Sequence, residues 1–136
     1  MPFVLGASIV HDWVFDERHP TAKAVRERLR TESAAAPILW WFEVRNGLVV
    51  AERRGRVTEQ QTARFLREIL HLAITLDNSP NETSVLALAR RHHLTVYDAA
   101  YLELALREDL PLATLDAALA RAARAEAVPL IGNGKS

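Results

Sequence analysis

The sequence contains no cysteine. That absence excludes a disulfide framework and a thiolate metal centre, and it fits a reducing compartment. Lysine is scarce as well, with two Lys against fifteen Arg. Neither charge is in excess: seventeen basic residues balance seventeen acidic ones in 136, so no overall field announces a nucleic-acid partner. The arginine forks suit phosphate or carboxylate, and a coding bias toward arginine accounts for them equally well. Charges interrupt every apolar run well short of a membrane span. The start, Met1-Pro2-Phe3-Val4-Leu5-Gly6-Ala7-Ser8, lacks the basic end and apolar core of a signal peptide. A soluble, cytoplasmic protein without a membrane partner is expected. With 49% hydrophobic and 25% charged residues it reads as one globular domain over 1–136, its tail 132–136 loose.

What is present is alternation. Phe3-Val4-Leu5 predicts a buried strand, and Ile9, Val10, Trp13 and Val14 make one stripe of a helix behind it. A helix on Val25 and Leu29 ends at Ala34-Ala35-Ala36-Pro37. Ile38-Leu39-Trp40 then predicts a second strand, and Trp41 to Val50 a helix that tolerates Gly47. Thr58-Glu59-Gln60-Gln61 fits a capping box before an apolar face of Phe65, Leu66, Ile69 and Leu70. Ala73 to Leu76 predicts a third strand, and Ser79-Pro80-Asn81-Glu82 a second capping box. After a helix that stops at His92-His93, Asp98 opens another. Pro111 to Leu115 and Val128 to Ile131 predict two more strands, separated by an Ala-rich helix from Asp116. Short apolar strands between helices imply a parallel sheet covered on both faces, hence a three-layer α/β/α fold with a central, mainly parallel sheet.

In such a sheet the residues just past the carboxyl ends of strands meet in space. Glu43 lies a few residues after Ile38-Leu39-Trp40, Asp116 directly follows Thr114-Leu115, and Asp98 opens the helix before that strand, so three carboxylates from distant parts of the chain are expected to converge. Hard oxygen donors without Cys or His suit Mg²⁺ or Mn²⁺ rather than zinc. The natural chemistry of such a centre is phosphoester hydrolysis.

Four stretches then carry a resemblance: Phe3-Val4-Leu5-Gly6-Ala7-Ser8, Glu43 with Asn46, Tyr97-Asp98-Ala99-Ala100-Tyr101-Leu102-Glu103-Leu104-Ala105, and Thr114-Leu115-Asp116. Together they resemble the signature blocks of PIN domains, in the order and spacing of the VapC ribonuclease toxins of toxin–antitoxin modules. The resemblance implies a PIN-like domain, a Mg²⁺- or Mn²⁺-dependent endoribonuclease acting on RNA, a homodimer, and a VapB-type antitoxin. It implies catalytic roles for Glu43, Asp98 and Asp116, metal binding by Asp98 and Asp116, and polar site-lining roles for Ser8, Asn46 and Thr114. One position departs from the pattern. The first block of the family reads Leu-Asp-Ala-Ser, and here Gly6 stands where the aspartate ligand belongs. Asp12, six residues on and roughly 9 Å along a helix, is too far to replace it.

Two readings follow. One is a metal-dependent endoribonuclease toxin impaired by Gly6, and the other is a non-catalytic PIN-like module that binds an antitoxin or RNA. The apolar excess around Trp41, Phe42 and Leu48 predicts a surface covered by a second copy or a partner.

Overall fold

Three apolar residues in a row, Phe3–Leu5, form β1 and are wholly buried. A strand covered on both faces needs such an unbroken run. In the computed structural model, which describes residues 2–132, β1 lies between β2 (Ala34–Pro37) and β4 (Leu112–Ala113), with β3 (Ile74–Asp77) beyond β2. Every pairing is parallel, in the order β3-β2-β1-β4. The described helices are α1 (Ala7–Phe15), α2 (Pro20–Arg28), α3 (Leu39–Arg53), α4 (Glu59–Ile69), α5 (Glu82–His92), α6 (Val96–Glu108) and α7 (Ala117–Ala125). Among the described residues no helix is long and apolar enough to cross a membrane.

The chain steps outward from β1 to β2 and β3, then returns to the far side of β1 for β4. The order therefore reverses between β1 and β4. That switch point leaves a crevice at the carboxyl ends of the two strands. Helix α6 lies on β1, β2 and β4 with α5 against it, while α1 packs on α2 and α3, and α3 on β2. Right-handed crossovers put these two sets on opposite faces of the sheet. The result is the three-layer α/β/α architecture.

Several local expectations shift. The second strand is Ala34–Pro37, and Leu39 and Trp40 belong to α3. Alanine has little intrinsic strand preference, but these alanines sit mid-sheet between two paired neighbours, and position overrides propensity. Ala34 and Ile38 donate to carbonyls on the β3 side, so by alternation the nitrogen of Pro37 faces β1. Lacking an N–H there, Pro37 closes the β1–β2 ladder, which ends at Val4 and Ala35, while pairing with β3 continues to Asp77.

The last predicted strand is reduced to a single parallel bridge between Leu112 and Leu130. Pro129 removes the donor that would extend it, because its nitrogen, like that of Ile131, lies on the β4 side. The Thr58 capping box forms with both of its bonds. At α5 the cap is Asn81 rather than Ser79, its side chain accepting the Ser84 N–H at 2.9 Å. Leu70 follows the end of α4 and is exposed, outside the apolar face assigned to it. Residues 133–136 of the tail expected to be loose lie outside the described residues.

Candidate active site

Each strand end at the switch point delivers a short polar loop, and the two loops are tied together. Gly6 follows β1, and its N–H donates to the Ala113 carbonyl at 2.8 Å. Ser8 Oγ accepts the Leu115 N–H at 2.9 Å and lies 3.3 Å from Thr114 Oγ1. Thr114 Oγ1 also accepts the Asp116 N–H at 3.0 Å, and Asp116 Oδ2 caps α7 by accepting the Leu119 N–H at 2.8 Å. From the other side α6 brings Asp98, in a first turn capped by the Thr95 hydroxyl at 3.0 Å. Helix α3 brings Glu43. Gly6, Ser8, Glu43, Asp98, Thr114 and Asp116 line one cavity of about 180 Å³. Asn46 is exposed and lies outside that wall. Asp12 is buried elsewhere, with the His19 N–H 3.4 Å from its Oδ1.

Two further residues reach the cavity that sequence reasoning did not place there. Tyr101, buried in α6, donates its hydroxyl to Glu43 Oε1 at 2.6 Å and so fixes that carboxylate. His11 on α1 lines the wall, with its Nε2 3.0 Å from the Glu43 carbonyl oxygen. A Cβ at Gly47 would stand 2.5 Å from that nitrogen. Gly47 therefore cuts the notch in α3 that receives the imidazole, and this explains a helix-interior glycine that costs roughly 1 kcal/mol in propensity.

The cavity disfavours negative charge. Burial raises the Glu43 carboxyl above its ordinary range, and the Asp98 charge adds to this against the lowering effect of the Tyr101 hydroxyl. Burial likewise raises Asp98, with the charge of Asp116 acting in the same direction. Burial and then the Glu43 carboxylate push the Tyr101 phenol far up, so it stays a donor. For an acid raised in the folded state, the penalty is absent below the unfolded pKa. It grows as pH rises through that value and levels off above the folded one. Glu43→Gln, which keeps an acceptor for Tyr101, should therefore raise the melting temperature at pH 7 and leave it nearly unchanged at pH 3. Equal effects at both pH values in calorimetric scans would contradict this electrostatic account.

The donor chemistry suits a hard cation: carboxylate and hydroxyl oxygens dominate the wall, and like charges crowd one another there. The donor count falls short. Gly6 offers no side chain, and among the described residues no group of three or more His, Asp or Glu is arranged to hold an ion. Gly6 has extended backbone angles open to any residue, with φ −75° and ψ 147°. Space is the restriction, because a Cβ there would stand 2.8 Å from the Ala113 carbonyl oxygen.

Comparison with known proteins agrees with this architecture. The family model described as "PIN domain" matches residues 3–125. A curated relative, Ribonuclease VapC3 of Pyrobaculum aerophilum, is 35% identical over 127 residues, which covers 88% of this chain and 93% of that protein. Among solved structures, PAE2754 from Pyrobaculum aerophilum superposes with a TM-score of 0.72 at 22% identity, covering 90% of this chain and 84% of that one. A toxin–antitoxin complex from Klebsiella pneumoniae gives a TM-score of 0.57 at 22% identity, over 84% and 86% of the two chains. The parallel sheet with its switch-point crevice, the match along nearly the whole chain and the likeness to a VapC ribonuclease together establish that this chain belongs to the PIN domain family.

Proposed function

We propose that this chain is a cytoplasmic, Mg²⁺- or Mn²⁺-dependent endoribonuclease toxin of the VapC type, neutralised by a VapB-type antitoxin and impaired by Gly6. The observation that carries the reading is the presence of Glu43, Asp98 and Asp116 on one cavity at the switch point of the sheet. Likeness to a VapC ribonuclease supports the RNA substrate, and a fold neighbour solved with an antitoxin supports that class of partner. Asp98 and Asp116 would hold the cation, which when bound supplies an activated water and offsets charge on the phosphate. Glu43, fixed by Tyr101 and raised by burial, is the group suited to take a proton from the attacking water. Ser8 and Thr114 hold the Asp116 loop against β1.

The test is cleavage of a fluorescent single-stranded RNA pool with Mn²⁺ against a chelated control. Slow, Mn²⁺-dependent cutting is expected, and Asp98→Asn should reduce it to background. Cutting that survives Asp98→Asn would place the activity elsewhere. A second reading, a non-catalytic PIN-like module that binds an antitoxin or RNA, draws on the incomplete ligand set. It predicts RNA binding without cleavage even in Gly6→Asp.

We further propose a homodimer through the outer face of α3. Ile38, Trp41, Phe42 and Val49 are exposed along that face, Phe42 to 62%, and the Arg45 guanidinium stacks 4.0 Å from the Trp41 ring centre. Leu48, expected on this surface, is 1% exposed and belongs to the core. Phe42→Glu should shift the sedimenting species from dimer to monomer without lowering the melting temperature of the monomer. Sedimentation of the unsubstituted chain as a monomer at high concentration would contradict the dimer.

A further inference from the structure

The acidic cavity has a neighbour. Thr114 and Asp116 line both it and a second cavity of about 200 Å³, so the two share a wall at the loop after β4. The chemistry changes across that wall. On the far side the cationic group is Arg124, in the last turn of α7, exposed and with no ion-pair or hydrogen-bond partner among the described residues. His19 also lines it. Its Nδ1 accepts the Thr21 N–H at 3.1 Å, which leaves Nε2 as the proton-bearing nitrogen and a donor. Leu130 and Ile131, both half-buried, give this cavity an apolar wall.

A larger cavity of about 400 Å³ between α5 and α6 offers no comparable group. Its Arg91 is bound to Glu126 at 2.6 Å, and its Arg107 to Glu103 and Asp77. Cations already matched to carboxylates have little left for a phosphate, whereas Arg124 presents an unshared fork.

We infer that the second cavity is a subsite for the nucleotide next to the scissile phosphate of a single-stranded RNA. Arg124 takes the phosphate of that nucleotide, the base lies on Leu130 and Ile131, and His19 Nε2 donates to its edge. Proteins that bind single strands lay an unstacked base on a flat side-chain surface and bond its edge, most often on an aromatic ring or a guanidinium; here Leu130 and Ile131 supply an aliphatic surface in that place. The inference rests on the endoribonuclease reading, since it places the scissile phosphate beside Asp98 and Asp116.

The test is fluorescence anisotropy of a 5′-labelled, mixed-sequence 12-nucleotide RNA with the full chain, without added metal and over a range of salt. Arg124→Ala should weaken binding about tenfold and make the salt dependence shallower by about one phosphate contact. Arg124→Lys should keep most of the affinity. Arg121→Ala, on the same helix but off the cavity, should leave affinity unchanged. If Arg124→Ala binds like the unsubstituted chain, or Arg121→Ala loses as much, the subsite is overturned while the endoribonuclease reading stands. If neither the unsubstituted chain nor Gly6→Asp binds or cuts the RNA, the endoribonuclease reading falls and the subsite with it.

Discussion

Gly6→Asp should raise Mn²⁺-dependent RNA cleavage by at least about 100-fold, because partners merely supporting a metal ligand already change affinity or activity by 10–100-fold. The same substitution should destabilise the metal-free protein. The Cβ it adds stands 2.8 Å from the Ala113 carbonyl oxygen, which also accepts the Gly6 N–H at 2.8 Å. That carbonyl must recede, and overpacking of this kind costs about 1–3 kcal/mol. A fourth carboxylate in an already crowded cavity adds to the penalty. Millimolar Mn²⁺ should restore the melting temperature by mass action on the folded state. Gly6→Asn separates the two effects. It brings the same Cβ without the charge, so it should lose comparable stability and recover far less cleavage.

Arg107→Ala should cost about 3 kcal/mol of stability, the range found when one partner of a buried ion pair is removed. Glu103, 3% exposed on α6, receives Arg107 Nε at 2.7 Å and Nη2 at 3.1 Å. The same guanidinium donates to both carboxylate oxygens of Asp77 at the end of β3, at 3.2 and 2.8 Å. These bonds to Glu103, then those to Asp77, hold Arg107 firmly protonated. Its removal strands a buried carboxylate and unties α6 from the sheet edge. Lysine has no fork to reach both acids, so Arg107→Lys should recover only part of the loss. Replacing the pair by Glu103→Leu with Arg107→Met should recover more, since no charge is then left buried. Arg107 also holds Asp77 below the usual carboxylate range. A depressed acid stabilises the fold above its unfolded pKa, and that contribution disappears as pH falls. Arg107→Ala should thus lose more at pH 7 than at pH 3 in urea unfolding. A loss under about 1 kcal/mol at pH 7 would show that the pair does not anchor the helix.

The layered fold was legible because buried parallel strands must be short unbroken apolar runs, and Phe3–Leu5 is one. β2 was misplaced because its burial comes from two neighbouring strands rather than from Ala34, Ala35 and Ala36 themselves, while Ile38-Leu39-Trp40 looks more strand-like and turns into α3. Glu43 and Asp116 reach one cavity because each follows a strand end closely, and Asp98 joins them from the first turn of α6, the helix that leads into β4. Tyr101 reads in sequence only as part of an apolar face, and the partner of its hydroxyl is 58 residues away. His11 left one trace. Gly47 marked a place where α3 gives way to something, but periodicity cannot say which side chain from α1 fills the gap. Asn46, one turn of α3 beyond Glu43, is exposed and lies outside the wall of the acidic cavity.

An acidic cavity that lacks a carboxylate at position 6 should bind a divalent cation weakly, and titration calorimetry with Mn²⁺ measures that directly. Mg²⁺ and Mn²⁺ sites of this kind rely on carboxylates that complete an oxygen shell, so each charge removed weakens them sharply. The unsubstituted chain should bind Mn²⁺ weakly, Gly6→Asn no better than a few-fold tighter, and Gly6→Asp at least about 100-fold tighter, with the binding of all three lost in Asp98→Asn backgrounds. If the unsubstituted chain binds Mn²⁺ as tightly as Gly6→Asp, the missing aspartate is dispensable here and this account of the site is wrong.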